Sequence, residues 1–204
     1  TSLGGSVFSH CSSLERIVIP ARVTGIPVSA FCGCTNLKSV TLPDDIEWIG
    51  EDAFRNCFNL EQITLPDGLR GIGNSGFQGC SSLKSIELPD SVTGISTSAF
   101  QDCSSLKSIE LPDSVTYISS SAFQGCSSLT EIRIPDKVVA IGKSAFQGCS
   151  SLQKVTLSRS LQEIGESAFE GCGQLQRIVI PEQVTSIGAY AFYNCKALKA
   201  AGFA

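Results

Sequence analysis

Phenylalanine recurs at positions 8, 31, 54, 77, 100, 123, 146, 169 and 192, a spacing of 23 residues without one slip. A fixed period of this length means that one small structural unit is copied and stacked. Cys stands three residues after each of these Phe residues, from Cys11 to Cys195, and Leu three further on, from Leu14 to Leu198. An aliphatic residue follows three later (Ile17 to Ile178) and another two after that (Ile19 to Ile180), usually closed by Pro. Val or a relative from Val23 to Val184, and Ile from Ile26 to Ile187, complete the pattern. Ala precedes Phe in every complete unit except at Gly76. The stretch FQGCSSL begins at Phe77, Phe123 and Phe146, and the units that start at Phe77 and Phe100 agree at 20 of 23 positions.

L-x-x-I-x-L has the apolar spacing of a short strand with one face inward, and the Pro after it ends the ladder. V-x-x-I and then A-F-x-x-C must turn the chain back, through an extended segment and one tight helical or 3₁₀ turn. A single coil buries too little apolar surface to offset the ordering of its residues. It therefore needs neighbours above and below, which is the reason for the repetition. At 42% hydrophobic and 17% charged residues the chain is expected to fold rather than stay disordered. A net charge of −4 argues against nucleic acid as a partner, which favours a basic stripe. No run of 18 or more apolar residues occurs, so membrane insertion of this segment is not expected. The chain starts at Thr1 and contains no Met, which suggests a mature protein or a fragment.

The combined pattern L-x-x-I-x-L-P-x-x-V-x-x-I-x-x-x-A-F-x-x-C resembles the BspA-type leucine-rich repeats of bacterial and protozoan surface proteins, over about residues 7 to 199. The resemblance implies a curved right-handed solenoid with a parallel sheet on the concave side and short turns or 3₁₀ segments on the convex side. It implies one leucine-rich-repeat domain over 1–204, with about eight to nine units, a partial first unit at 1–7 and a degenerate last one at 199–204. It also implies an adhesion role at a cell surface or outside the cell. Departures are few: Ser158 replaces Pro, Gly76 replaces Ala, and Ala201 replaces an aliphatic residue.

Nine of the ten Cys residues occupy one column. Neighbours in that column lie about 4.8 Å apart with parallel Cβ directions, whereas a disulfide needs Cβ atoms about 3.8 Å apart that point at each other. The column is expected to be a row of free interior thiols. Cys32 departs from its own column and is expected to be the exposed thiol, with an intermolecular disulfide through it as the alternative. No C-x-x-C exists, and Cys32-Gly33-Cys34 with His10 and Cys11 lacks a second ligand pair, so no metal or other cofactor is expected. His10, the only histidine, has no Asp placed to orient it and reads as an exposed turn residue. The Ser residues follow the repeat columns, and Asp90 and Asp113 recur after Pro as turn formers. An enzyme is not expected.

What remains is surface. The residue between the two inner aliphatics of each strand must point outward, and that column reads Val18, Thr41, Thr64, Glu87, Glu110, Arg133, Thr156 and Val179. Two residues earlier the outward positions end in Glu131, Lys154 and Arg177. Across the stack this face runs from neutral to acidic to basic. Thr41, Thr64, Glu87, Glu110, Arg133, Lys154 and Arg177 are the candidate contact residues for a protein or glycan ligand on a host or neighbouring cell. The plain alternative is a solvated face on which Lys84 and Lys107 ease the acidic pair. Three aromatics that break their columns, Trp48, Phe58 and Tyr117, form a second candidate patch. A different function is also open: a stiff spacer that carries functional domains outside this segment, favoured by the near-identical units at Phe77 and Phe100. Neither end carries the polar cap that repeat arrays need, so missing caps or end-to-end self-association is expected.

Overall fold

Alternation of inward and outward side chains in L-x-x-I-x-L produces one parallel ladder along the stack. The structure, a computed structural model, describes residues 2–203. Arg16–Val18 pairs with Ser39–Thr41, and that strand with Gln62–Ile63; further along, Glu131–Arg133 pairs with Lys154–Thr156, and Arg177–Ile180 with Ala200–Phe203. Between these groups the bridge Ser85↔Ser108 continues the ladder, so the sheet is segmented rather than continuous. Register partners lie one repeat apart, as in Ile17↔Val40 and Ile132↔Val155. The last strand persists where the side-chain pattern fades: Ala201 still pairs with Ile178, although all of Ala200–Phe203 is exposed.

V-x-x-I builds a second parallel ladder. Gly25–Ile26, Trp48–Ile49 and Gly71–Ile72 pair in turn, as do Ala140–Ile141, Glu163–Ile164 and Ser186–Ile187, with single bridges through Ile95, Ile118 and Ile141 between them. The expected helical or 3₁₀ turn on the far side is absent from the described residues, which contain strands and turns only. Two left-handed residues per coil reverse the chain instead. One column holds Ser29, Ser75, Ser98, Ser121, Ser144 and Ser167 at φ near 55°. The other alternates Gly33, Gly79, Gly125, Gly148 and Gly171 with His10, Asn56, Asp102 and Asn194, the non-glycine members among those most tolerant of this region. His10 is therefore a turn residue, as its place in the repeat suggested.

Inside, the Phe side chains form one continuous stack. Successive ring centroids from Phe8 to Phe192 are 5.2 to 5.7 Å apart, with planes within 11° of parallel. That step exceeds the ~4.8 Å spacing of paired strands, as a sideways offset between near-parallel rings requires. The thiols run beside the rings. Cys34, Cys57, Cys80, Cys103, Cys126, Cys149, Cys172 and Cys195 are buried and free. Each donates its S–H to the backbone carbonyl of the Phe one coil earlier, from Cys34 to Phe8 at 2.9 Å to Cys172 to Phe146 at 3.3 Å. The same carbonyl accepts the N–H of the Cys in its own coil, as Phe77 does from Cys80 at 3.1 Å. Both of its lone pairs are thus used. A Cys at this column fills space like a small hydrophobe and supplies a donor that Ala lacks.

The expectation for Cys32 needs correction. Cys32 is half-buried, and the exposed thiol is Cys11, against whose outer side no other described coil packs. Burial and the charge of Asp52 push the Cys32 thiol up, an environment that withholds the thiolate a disulfide exchange needs.

A thiol reagent applied to the native protein should label Cys11 first and Cys32 more slowly, and should reach the other eight only on unfolding. Rapid native labelling of Cys103 or Cys126 would refute the interior thiol row. Alkaline pH should destabilise the fold. Below the ordinary thiol value near 9, folded and unfolded chains both hold their thiol protons; above it the unfolded chain releases protons that the folded one keeps, because burial raises Cys34 to about 11 and Cys80, Cys103, Cys126 and Cys149 further. Stability is therefore full below pH 9 and falls as pH rises towards the folded values, by up to ~1.4 kcal/mol per buried thiol per pH unit. Urea midpoints between pH 8 and pH 10.5 check this, and a flat profile contradicts it.

Candidate binding face of the strand ladder

The strand ladder positions its outward side chains at one-coil intervals, because its register partners lie one repeat apart. Thr41, Thr64, Glu87, Glu110, Arg133, Lys154 and Arg177 are all exposed, and they share this one face. Glu87 and Glu110 line one groove of about 420 Å³. Glu110, Arg133 and Lys154 line the next, of about 410 Å³, and Lys154 and Arg177 a third of about 770 Å³. Concavity and charge order thus coincide. Ion pairing refines the electrostatics. The Arg133 guanidinium donates to Asp113 Oδ1 at 2.9 Å, and Lys154 lies 3.8 Å from Glu131. Lys84 does not ease the acidic pair as expected: its ammonium contacts Glu61 at 3.0 Å, repeating the Lys38–Glu15 pair two coils earlier. Glu87 and Glu110 have no ion-pair partner among the described residues, and neither does Arg177.

The chain matches the family description "BspA type Leucine rich repeat region" over residues 1–129 and 71–199, in six copies. The chain belongs to the BspA-type leucine-rich repeat family. No curated protein matches its sequence. Among solved structures, a T. pallidum leucine-rich repeat protein is 36% identical with a TM-score of 0.76, over 79% of this chain and 78% of that one. A leucine rich cell surface protein from Faecalibacterium prausnitzii A2-165 is 30% identical with a TM-score of 0.62, over 98% of this chain; the chain spans 62% of that protein's length. The pneumococcal vaccine antigen PcpA shares the fold at 21% identity and a TM-score of 0.58, over 93% of this chain and 56% of that one.

Within this BspA-type stack the three column-breaking aromatics do not come together. Trp48 and Tyr117 sit in the same column three coils apart, and Phe58 lies at the turn after Cys57. All three are about half exposed, at 46%, 47% and 45%. Two of them have a structural task. A Cβ built on Gly25 would overlap the Trp48 indole, and one on Gly94 would overlap the Tyr117 ring. Each ring thus lies flat on the bare backbone of a glycine in the preceding coil, covering a site that has no side chain of its own. Two features escaped the sequence reading. Tyr190 and Tyr193 form an exposed edge-to-face pair at 5.7 Å between centroids. Arg159 lines the groove of about 770 Å³, although its column reads Asp at 44, 67, 90, 113 and 136; comparing that column would have found it.

Because Trp48 is the only tryptophan, its fluorescence reports the ring-on-glycine contact directly. Gly25→Ala should push the indole into solvent, shift its emission to the red and raise its quenching by acrylamide about twofold. An unchanged spectrum would show that the ring does not rest on Gly25.

Proposed function

We propose that the chain is a non-enzymatic binding scaffold of a cell-surface or secreted protein, whose concave strand face holds a protein partner. The observation that carries this reading is the coincidence, on one face, of consecutive grooves with a charge order running from Glu87 and Glu110 to Arg133, Lys154 and Arg177. Glu87 and Glu110 stand one coil apart without an ion-pair partner among the described residues, a like-charge placement that contact with a basic group would relieve. Family membership and the cell-surface relative support placement at or outside the cell surface. The His10 side chain lies over Gly33 at a turn. Among the described residues no helix is long and apolar enough to cross a membrane.

One observation favours a second reading, a spacer rod. The coils at Phe77 and Phe100 present the same strand-face pair, Ser85 with Glu87 and Ser108 with Glu110, where a tuned contact surface would diversify. Neutralising the face separates the two. Glu87→Gln, Glu110→Gln, Arg133→Gln and Arg177→Gln together should lower the affinity for a purified cell-surface protein by at least tenfold. Turn-side changes at Gln78 and Gln101 to Ala should leave it within twofold. The four residues are exposed, so the melting temperature should hold within a few degrees. Equal affinity of the two variants would reject the concave site and leave the spacer.

A further inference from the structure

One groove of the strand face lies between the strands Lys154–Thr156 and Arg177–Ile180, with a volume of about 770 Å³. That is within the ~300–1,000 Å³ typical of ligand clefts. Its rim departs from every neighbouring coil in one specific way. The Pro-Asp pair found at Pro43-Asp44, Pro66-Asp67, Pro89-Asp90, Pro112-Asp113 and Pro135-Asp136 becomes Ser158-Arg159. Ser158 is fully buried, and its Oγ accepts the N–H of Ser160 at 3.1 Å. The turn therefore survives the loss of Pro, while an anion is exchanged for a cation. Arg159, Lys154 and Arg177 line the groove with one carboxylate, Glu182; Lys154 is paired with Glu131 at 3.8 Å, so the two guanidinium groups are the cations left available. Among the described residues Arg159 and Arg177 make no ion pair. Asp136 comes near but accepts only the backbone N–H of Arg159, at 3.0 Å. The floor is apolar: Val179 is half exposed in a column otherwise mostly polar, and Leu157 lies beneath it.

We propose that this groove binds an acidic peptide segment in which carboxylates flank an aliphatic residue. The inference deepens the reading of the strand face as a binding surface and rests on it. Arg159 and Arg177 supply planar, permanently charged forks that suit carboxylates in two-bond geometry. The Val179 floor accepts the intervening aliphatic side chain, whose burial contributes the rest of the affinity. A sulfated or uronic sugar chain would match the charge but not the floor. No aromatic side chain is among the residues that line the groove, so none is placed there to stack on a sugar.

The probe is a fluorescein-labelled octapeptide of alternating Glu and Leu, followed by anisotropy. Saturable binding is expected, weakening severalfold between 0.05 and 0.3 M salt, as partly exposed charge pairs are screened. Peptides with Gln for Glu, or Ser for Leu, should each bind at least tenfold more weakly. Arg159→Gln with Arg177→Gln should also lose at least tenfold. Arg55→Gln with Lys143→Gln, which removes the same charge from the turn side, should bind within twofold of the parent. Absence of saturable binding overturns the proposal, as does affinity indifferent to the Arg159 and Arg177 changes. A heparin-type oligosaccharide that binds the groove while the Glu-Leu peptide does not also overturns it, in favour of a glycan. Peptide binding with no effect of the four-residue face variant on the larger protein partner would fault the broader reading alone.

Discussion

Everything in this molecule depends on residues one repeat apart lying on top of one another. That registry lets Phe stack on Phe and lets each thiol reach the carbonyl of the preceding coil's Phe. It also lets the turn backbone bond forward to the next coil, as Phe77 N–H does to Ala99 C=O at 2.9 Å. A shift by one residue would break all three at once, replacing stacked rings by voids and leaving buried donors without acceptors. No individual contact of this kind is strong. Their agreement along the whole stack specifies a single arrangement for a chain with neither disulfide nor helix among its described residues.

The same registry separates stability from recognition. Inward columns admit almost no variation: Phe from 31 to 169 and Cys from 34 to 172 show no exposed surface. Outward columns are free to change, since their side chains touch solvent and other exposed side chains of their own or an adjacent coil. The pairs Lys38–Glu15 and Lys84–Glu61 are of this kind, exposed and contributing little to stability. Chemistry can therefore be written along the strand face coil by coil without disturbing the core, and the reversal from Asp136 to Arg159 is one such change.

Much of this was legible from the sequence because period and hydrophobicity carry it. The repeat gave the stack, the outward alternation gave the exposed positions from Thr41 to Arg177, and the single column of Cys gave the free thiols. What was hidden depended on backbone conformation and on side-chain reach. The left-handed pair of turn residues replaced an expected helical turn, since Ser at positive φ carries no composition signal. Cys32 was misplaced relative to Cys11 because burial here depends on which coil lies alongside, a property of position in the stack and not of residue type. Lys84 was assigned to the wrong carboxylate because a four-carbon stem reaches along the stack as easily as across a strand. The aromatics at 48 and 117 each follow a glycine one coil earlier, so their column read vertically explains them as covers for bare backbone and not as a patch.

The carbonyl of each buried Phe is shared between its own coil and the next, so coils of this type are interchangeable parts with identical couplings above and below. Gene segments that encode a whole number of them can be lost or doubled by recombination without opening a seam in the interior. The near-twin coils at Phe77 and Phe100 have the form such an event leaves behind. Reach and valency of the array can then evolve on a much faster clock than the fold, while each new copy arrives already folded and ready to acquire its own surface.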